Sequence, residues 1–201
     1  EHVEAIKLYQ KALPICDSLL SVSPAHQTLC LSLIDGLSHV TSLQQQISLS
    51  AVFDFLLSSI SSEDSFTQLT AMTTLNHLSN NEFNKREILC RSSVVLGKLL
   101  NLTKDHYPEE DIVKQAVKTI ASLSGVEVNK LRVTQAGAVE PLFAICLTDL
   151  ESDEARDTIV DFCNAENIQV QVAAVIALLH LSKRLKIVHK LNALNLHETL
   201  L

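Results

Sequence analysis

Residues 127–146 read EVNKLRVTQAGAVEPLFAIC. Gly137 can take the positive φ that a helix C-terminus often needs. Pro141, four residues on, suits the first turn of a following helix, where its missing N–H is harmless. The stretch therefore predicts one helix closing at the glycine, a tight turn, and a second apolar helix from Val139 to Leu147.

Around this turn the chain repeats itself. Leu-Ser pairs close apolar helical patterns at Leu37-Ser38, Leu78-Ser79, Leu123-Ser124 and Leu181-Ser182, at intervals of 41, 45 and 58 residues. A helix-period stripe precedes each pair: Leu29, Leu33, Ile34, Leu37; Phe66, Leu69, Met72, Leu75, Leu78; Val113, Ala116, Val117, Ile120, Leu123; Val172, Ala173, Ile176, Leu181. Polar breaks follow, several carrying cations (Asn84-Lys85-Arg86, Asn129-Lys130-Leu131-Arg132, Lys183-Arg184-Leu185-Lys186). Second apolar helices are predicted at Ala51 to Leu57, Val94 to Leu102, Val139 to Leu147 and Leu194 to Leu201. The unit is a long helix, a break, a short helix and a further helix. Such a unit cannot bury its stripe alone and does so by stacking on its neighbours.

The composition agrees with packed helices. Of 201 residues 47% are hydrophobic but only 4% aromatic, with no Trp, and Gly and Pro number 4 each, too few for the turns of a sandwich or barrel. A net charge of −7 and a pI near 5.6 exclude nucleic acid as a partner, since phosphate contacts need clustered cations. The basic neighbourhoods around Lys183-Arg184 and His189-Lys190 are short and read as solvated helix edges. Five cysteines, Cys16, Cys30, Cys90, Cys146 and Cys163, are odd in number, widely spaced and free of C-x-x-C pairs, which points to reduced core residues. Asn101-Leu102-Thr103 has the form of a glycosylation acceptor but falls in an apolar helical pattern. No signal peptide precedes the first helix, and the most apolar run, Val170 to Leu181, is too short to span a bilayer. The expected localisation is cytoplasmic, with the nucleus also open.

The G-A-V-E-P-L turn at residues 137–142 and the Leu-Ser closures resemble armadillo repeats, over roughly residues 25 to 201. The resemblance implies an all-α, right-handed α-solenoid of about four armadillo/HEAT-like repeats. The other units lack the glycine (Arg91-Ser92-Ser93-Val94, Asn192-Ala193-Leu194), which leaves both armadillo and HEAT packing open. The organisation expected is an N-terminal capping helix over 1–22 and a repeat domain over 23–201. Its units lie near 25–62, 63–107, 108–148 and 167–201, with an acidic insert at 149–166. Val3, Ile6, Leu8, Tyr9, Ala12, Leu13 and Cys16 make the first helix amphipathic around Pro14, and EAIKLYQKAL also resembles a tetratricopeptide second helix. The insert holds seven carboxylates against one Arg and reads either as a solvated loop or extra helix, or as an acidic contact through Asp149, Glu151, Asp153, Glu154 and Asp157. Leu194, Leu196, Leu200 and Leu201 form an uncovered apolar face, which suggests a larger solenoid or complex.

The resemblance implies that third helices line a concave face. Two residues before each closing Leu stand Asp35, Asn76, Ala121 and Leu179; two after it stand His39, Asn80, Gly125 and Lys183. These positions lie one helical turn apart. Asp35, His39, Asn76, Asn80 and Lys183 are the candidate partner-binding residues. Importin-alpha-like armadillo proteins have a Trp and Asn ladder there; with no Trp, and Asn kept only at Asn80, import signals are not the expected ligand. His77 and His180, each just before Leu-Ser, read as ordinary polar helix residues, and the insert matches no EF-hand loop, so no metal is expected. Asp35, Ser38 and His39 have hydrolase-triad residue types, but neighbours on one helix cannot act as nucleophile, base and orienter. No nucleotide, zinc-protease or hydrolase motif is present, so no enzyme activity and no cofactor are expected. Two functions fit: a protein-protein scaffold or adaptor holding a peptide or helix, or a chaperone-like regulator clamping a folded domain, as the UCS-type myosin chaperones and armadillo exchange factors imply.

Overall fold

The computed structural model describes residues 2–20, 23–50, 52–91, 94–103, 110–146 and 153–182. These form helices only, with no strand among the described residues. In chain order they are α1 (His2–Leu19), α2 (Pro24–Ser38), α3 (Thr41–Leu49), α4 (Val52–Ser59), α5 (Ser65–Ser79), α6 (Glu82–Arg91), α7 (Val94–Leu102), α8 (Glu110–Ser124), α9 (Glu127–Gln135), α10 (Val139–Cys146), α11 (Asp153–Cys163) and α12 (Ile168–Ser182). The chain divides into two compact units, Glu1–Val95 and Leu96–Leu201. The apolar segment expected over 194–201 and the uncovered C-terminal face lie outside the described residues.

In the first unit α2 and α5 lie side by side, α3 packs on α6, and α4 and α6 flank α5. Ile34, Leu37, Ala71, Met72, Leu75 and Leu78 are fully or almost fully buried between them. The stripe expected on α2 is shifted, however: Leu29 is 68% exposed, and Cys30 and Leu31 take inward positions beside Ile34 and Leu37; on α5 Met72, Leu75 and Leu78 are buried as expected, while Phe66 is 61% exposed. An isolated helix-period pattern gives the repeat of a stripe but not its angular centre when apolar residues occupy two adjoining rows. The helix α1 runs through Pro14 and packs on α2, α3 and α4, burying Leu13 and Cys16. Pro24 opens α2, where a missing N–H removes no helical bond.

In the second unit the stripe of α8 is buried as expected, from Val113 to Leu123. The turn after α9 has the geometry its glycine foreshadows. Gly137 has φ +82°. Its N–H donates to the Thr134 carbonyl at 2.9 Å, and the Ala138 N–H donates to the Val133 carbonyl at 3.2 Å. This is a Schellman closure, with Val133 and Ala138 forming its buried apolar contact. Pro141 is the third residue of α10, inside its first turn.

The acidic segment takes its place in the stack as α11, whose inward positions Ala155, Ile159 and Phe162 are fully buried. Asp153 and Asp157 are outward and exposed. The neighbours of α11 are α8, α10 and α12, the same pattern by which α5 meets α2, α4 and α6. On α12 the inward residues are Val170 and Ala174, whereas Val172 and Ile176, expected in its stripe, are half exposed.

Candidate functional site

The side-by-side packing of α2 and α5 brings polar side chains from both helices together. Asp35 and His39 stand four residues apart, so they project from one face, with His39 at the C-cap of α2. From α5, the buried Thr74 hydroxyl lies 3.0 Å from Asp35 Oδ1 and 2.7 Å from the Thr70 carbonyl, its single proton shared between these two acceptors. One turn on, the His77 ring lies against His39 with centroids 4.0 Å apart, and its Nδ1 is 3.9 Å from Asp35 Oδ1. Ser38 Oγ donates to the Asp35 carbonyl at 2.7 Å and is 3.2 Å from His77 Nδ1. Burial pushes the His77 imidazole below its ordinary value, the nearby His39 adds to this, and Asp35 opposes it. The neutral ring is the form this environment favours.

A row of buried amides fixes the helix ends beneath these groups. Gln44 Nε2 donates to the Ser38 carbonyl at 2.8 Å and to the His77 carbonyl at 3.3 Å. Asn84 Nδ2 donates to the Leu78 carbonyl at 3.1 Å and to the Gln44 carbonyl at 3.0 Å, while its Oδ1 accepts from Ser48 Oγ at 2.6 Å. In the second unit Asn129 Nδ2 donates to the Leu123 carbonyl at 2.9 Å. Each amide sits six residues after a residue at a long helix's end and adds a side-chain donor to a carbonyl of its last turn; at Leu78 it joins the Asn81 N–H, which donates there at 3.2 Å.

Among the residues expected to bind a partner, Asp35 and His39 are thus adjacent, and Asn76 and Asn80 stand on the same end of α5, Asn80 exposed and Asn76 half-buried. Lys183 lies outside the described residues, as do Asp149 and Glu151 and the side chains of Glu154 and His180. Arg156 bridges Asp153 at 2.8 Å and Asp157 at 3.2 Å, which offsets part of the acidic charge of α11. The residue sequence reasoning passed over is His77. With the Leu-Ser pairs aligned, it falls opposite Gly36, next to Asp35, and that lateral register was the available signal. The exposed face of α2 also carries Leu29, Leu33 and Gly36 beside His39, and Phe66 is exposed near the start of α5. A depression of about 440 Å³ is lined by Gln27, Thr28, Phe55, Ser58, Asp64 and Thr67, with no histidine or cysteine to activate a hydroxyl.

No protein-family model matches the sequence, and no curated protein matches it. Solved structures do. A designed armadillo repeat protein in complex with the peptide (KR)4 superposes with a TM-score of 0.71 at 17% identity, over 82% of this chain and 70% of that one. Computationally designed armadillo repeat proteins for modular peptide recognition give 0.67 at 18% identity, over 86% and 85%. An engineered protein gives 0.69 at 18% identity, over 82% and 69%. The fold is accordingly an armadillo-like, all-α repeat solenoid. No helix among the described residues is long and apolar enough to cross a membrane.

Proposed function

We propose that this armadillo-like chain is a non-enzymatic scaffold that holds an extended partner peptide across its third helices, α2 and α5 in the first unit. The observation that carries this reading is the composition of that face. Exposed Leu29, Leu33 and Phe66 offer apolar contact, and Asp35, His39 and Asn80 offer polar fixes at the helix ends. A few precise polar groups beside apolar surface is how extended peptides are recognised. The designed armadillo proteins of like fold support it, one of them being in complex with a basic peptide. The chain's net charge of −7 favours a partner that carries cations. We infer further that α11 holds the third-helix place of its unit. The ladder position after it is then Asn164, which is exposed and stands two residues beyond the inward Phe162 as Asn80 stands two beyond Leu78.

Selection from a random-peptide display library tests the reading, with wild type beside Leu33→Asp/Asn80→Ala and Asn164→Ala. Recovered peptides that bind wild type and lose at least roughly tenfold in affinity to the double variant support the groove. Peptides that bind all three proteins alike would count against it. If no peptide is recovered and only folded domains bind, the chaperone-like alternative, in which the same helices clamp a folded domain, takes its place. A reducing compartment, cytoplasm or nucleus, accords with Cys16, Cys30, Cys90 and Cys163 standing outside any disulfide.

A further inference from the structure

We propose that Asp35, His39 and His77 form a binding site for a divalent transition-metal ion, with Zn²⁺ as the expected occupant. This reverses the sequence expectation that no metal is bound, and it does not depend on the peptide reading. Each of the three residues offers one ligand atom, and these atoms lie within 4.8 Å of one another. Tetrahedral zinc with bonds of about 2.0–2.1 Å sets its ligand atoms roughly 3.3 Å apart. Side-chain rotation closes the remaining gap, and His39, exposed at the end of α2, has the freedom to supply it.

The two other ligands are already held. Side-chain exposures of 25% for His77 and 30% for Asp35 leave both half-buried between the helices. The Thr74 hydroxyl bonds to Asp35 Oδ1, the kind of outer-shell partner that fixes a ligating carboxylate. Two imidazoles and one carboxylate disfavour Ca²⁺ and Mg²⁺, which take oxygen donors, and the absence of thiolate from the trio disfavours Cu⁺. Zinc accepts this donor set with a fourth position left over. Water or a donor from a bound partner would complete the coordination.

The test uses the full 201-residue chain. Metal-stripped protein is titrated with Zn²⁺ alone by calorimetry and with Co²⁺ by visible absorption. Wild type is expected to bind one ion per chain and to show the absorption bands of low-coordinate cobalt. His39→Ala and Asp35→Asn should each weaken binding by roughly tenfold or more and reduce those bands. His39 is exposed, and Asp35→Asn keeps the size and shape of a half-buried side chain, so circular dichroism is expected to show the helices persisting in both. Absence of stoichiometric binding by wild type overturns the proposal. So does binding in both variants as strong as in wild type, which would assign the ion to other histidines.

Discussion

Asn84 and Asn129 are fully buried, and each amide terminates a long helix by bonding its last carbonyls. Asn129→Ala removes the buried donor to the Leu123 carbonyl, and Asn84→Ala removes three buried bonds at once, to the Leu78 and Gln44 carbonyls and from Ser48 Oγ, so each should destabilise by about 1–3 kcal/mol in denaturant melts. A loss near zero would show that water replaces the amide. In the sequence these residues stand in the polar breaks Asn84-Lys85-Arg86 and Asn129-Lys130-Leu131-Arg132, where nothing local distinguishes an inward amide from the cations beside it. The expectation that the cysteines are core residues holds for Cys16 and Cys30 but not for Cys90, which is exposed, nor fully for Cys163, which is half-buried. Cys16 and Cys30 are each 2% exposed. Burial, with Cys30 beside it, pushes the Cys16 thiol up to about 12. Iodoacetamide at mildly alkaline pH should modify Cys90 first and leave Cys16 intact until the chain unfolds. Unfolding returns the Cys16 thiol to its ordinary value of 9.0. Between that value and about 12 the unfolded chain binds fewer protons than the folded one, so stability falls as pH rises. Cys16→Ala should flatten that alkaline limb; a limb unchanged by the substitution would assign it to other groups.

At the scale of helices and turns, the segment 127–146 was the most legible part of the chain, because glycine and proline impose geometry regardless of context. Gly137 has the left-handed φ of +82°, and an added Cβ there would meet nothing within 4 Å. The cost of a side chain is therefore backbone strain alone. Gly137→Val should destabilise by about 1 kcal/mol or more, and Gly137→Asn by less, since Asn tolerates this region. Equal thermal stability of all three proteins would contradict the turn. The long helices were less legible in phase than in extent. On α2 the row Leu29–Leu33 is as apolar as the row Cys30–Ile34–Leu37, yet only the second is covered, by α5 and the flanking helices. Hydrophobicity marks both rows, and tertiary packing chooses between them. The same limit hid the polar cluster, since Asp35 and His39 share a helix but His77 reaches them only through the lateral register of α2 and α5.

At the scale of the whole chain, the phase of the repeat turns on α11. Closing the last unit at Leu181 gives a 58-residue interval and makes 149–166 an insertion, whereas closing it at Phe162 gives intervals of 41, 45 and 39. The contacts of α11 with α8, α10 and α12 favour the second phase. Carboxylate density concealed it: Asp153, Asp157 and Asp161 recur at helical spacing on the exposed side. The inward Ala155, Ile159 and Phe162 stand at intervals of four and three residues, a stripe of only three apolar residues set among the carboxylates. The two phases differ in what the segment does for stability. A solvated insertion tolerates change, so its deletion would be silent. A third helix does not: Phe162→Ala should cost about 3–5 kcal/mol, and deleting 149–166 should unfold the second unit, seen as lost helical ellipticity and rapid proteolysis after residue 96. Deletion therefore cannot test an acidic contact for a partner. Asp153→Asn/Asp157→Asn can, because both carboxylates are exposed and their pairing with Arg156 is a surface one, so stability should change by no more than about 1 kcal/mol. Affinity for a basic peptide would then report on charge alone. A silent Phe162→Ala would return the segment to the status of an insertion and Asn164 to an ordinary loop residue.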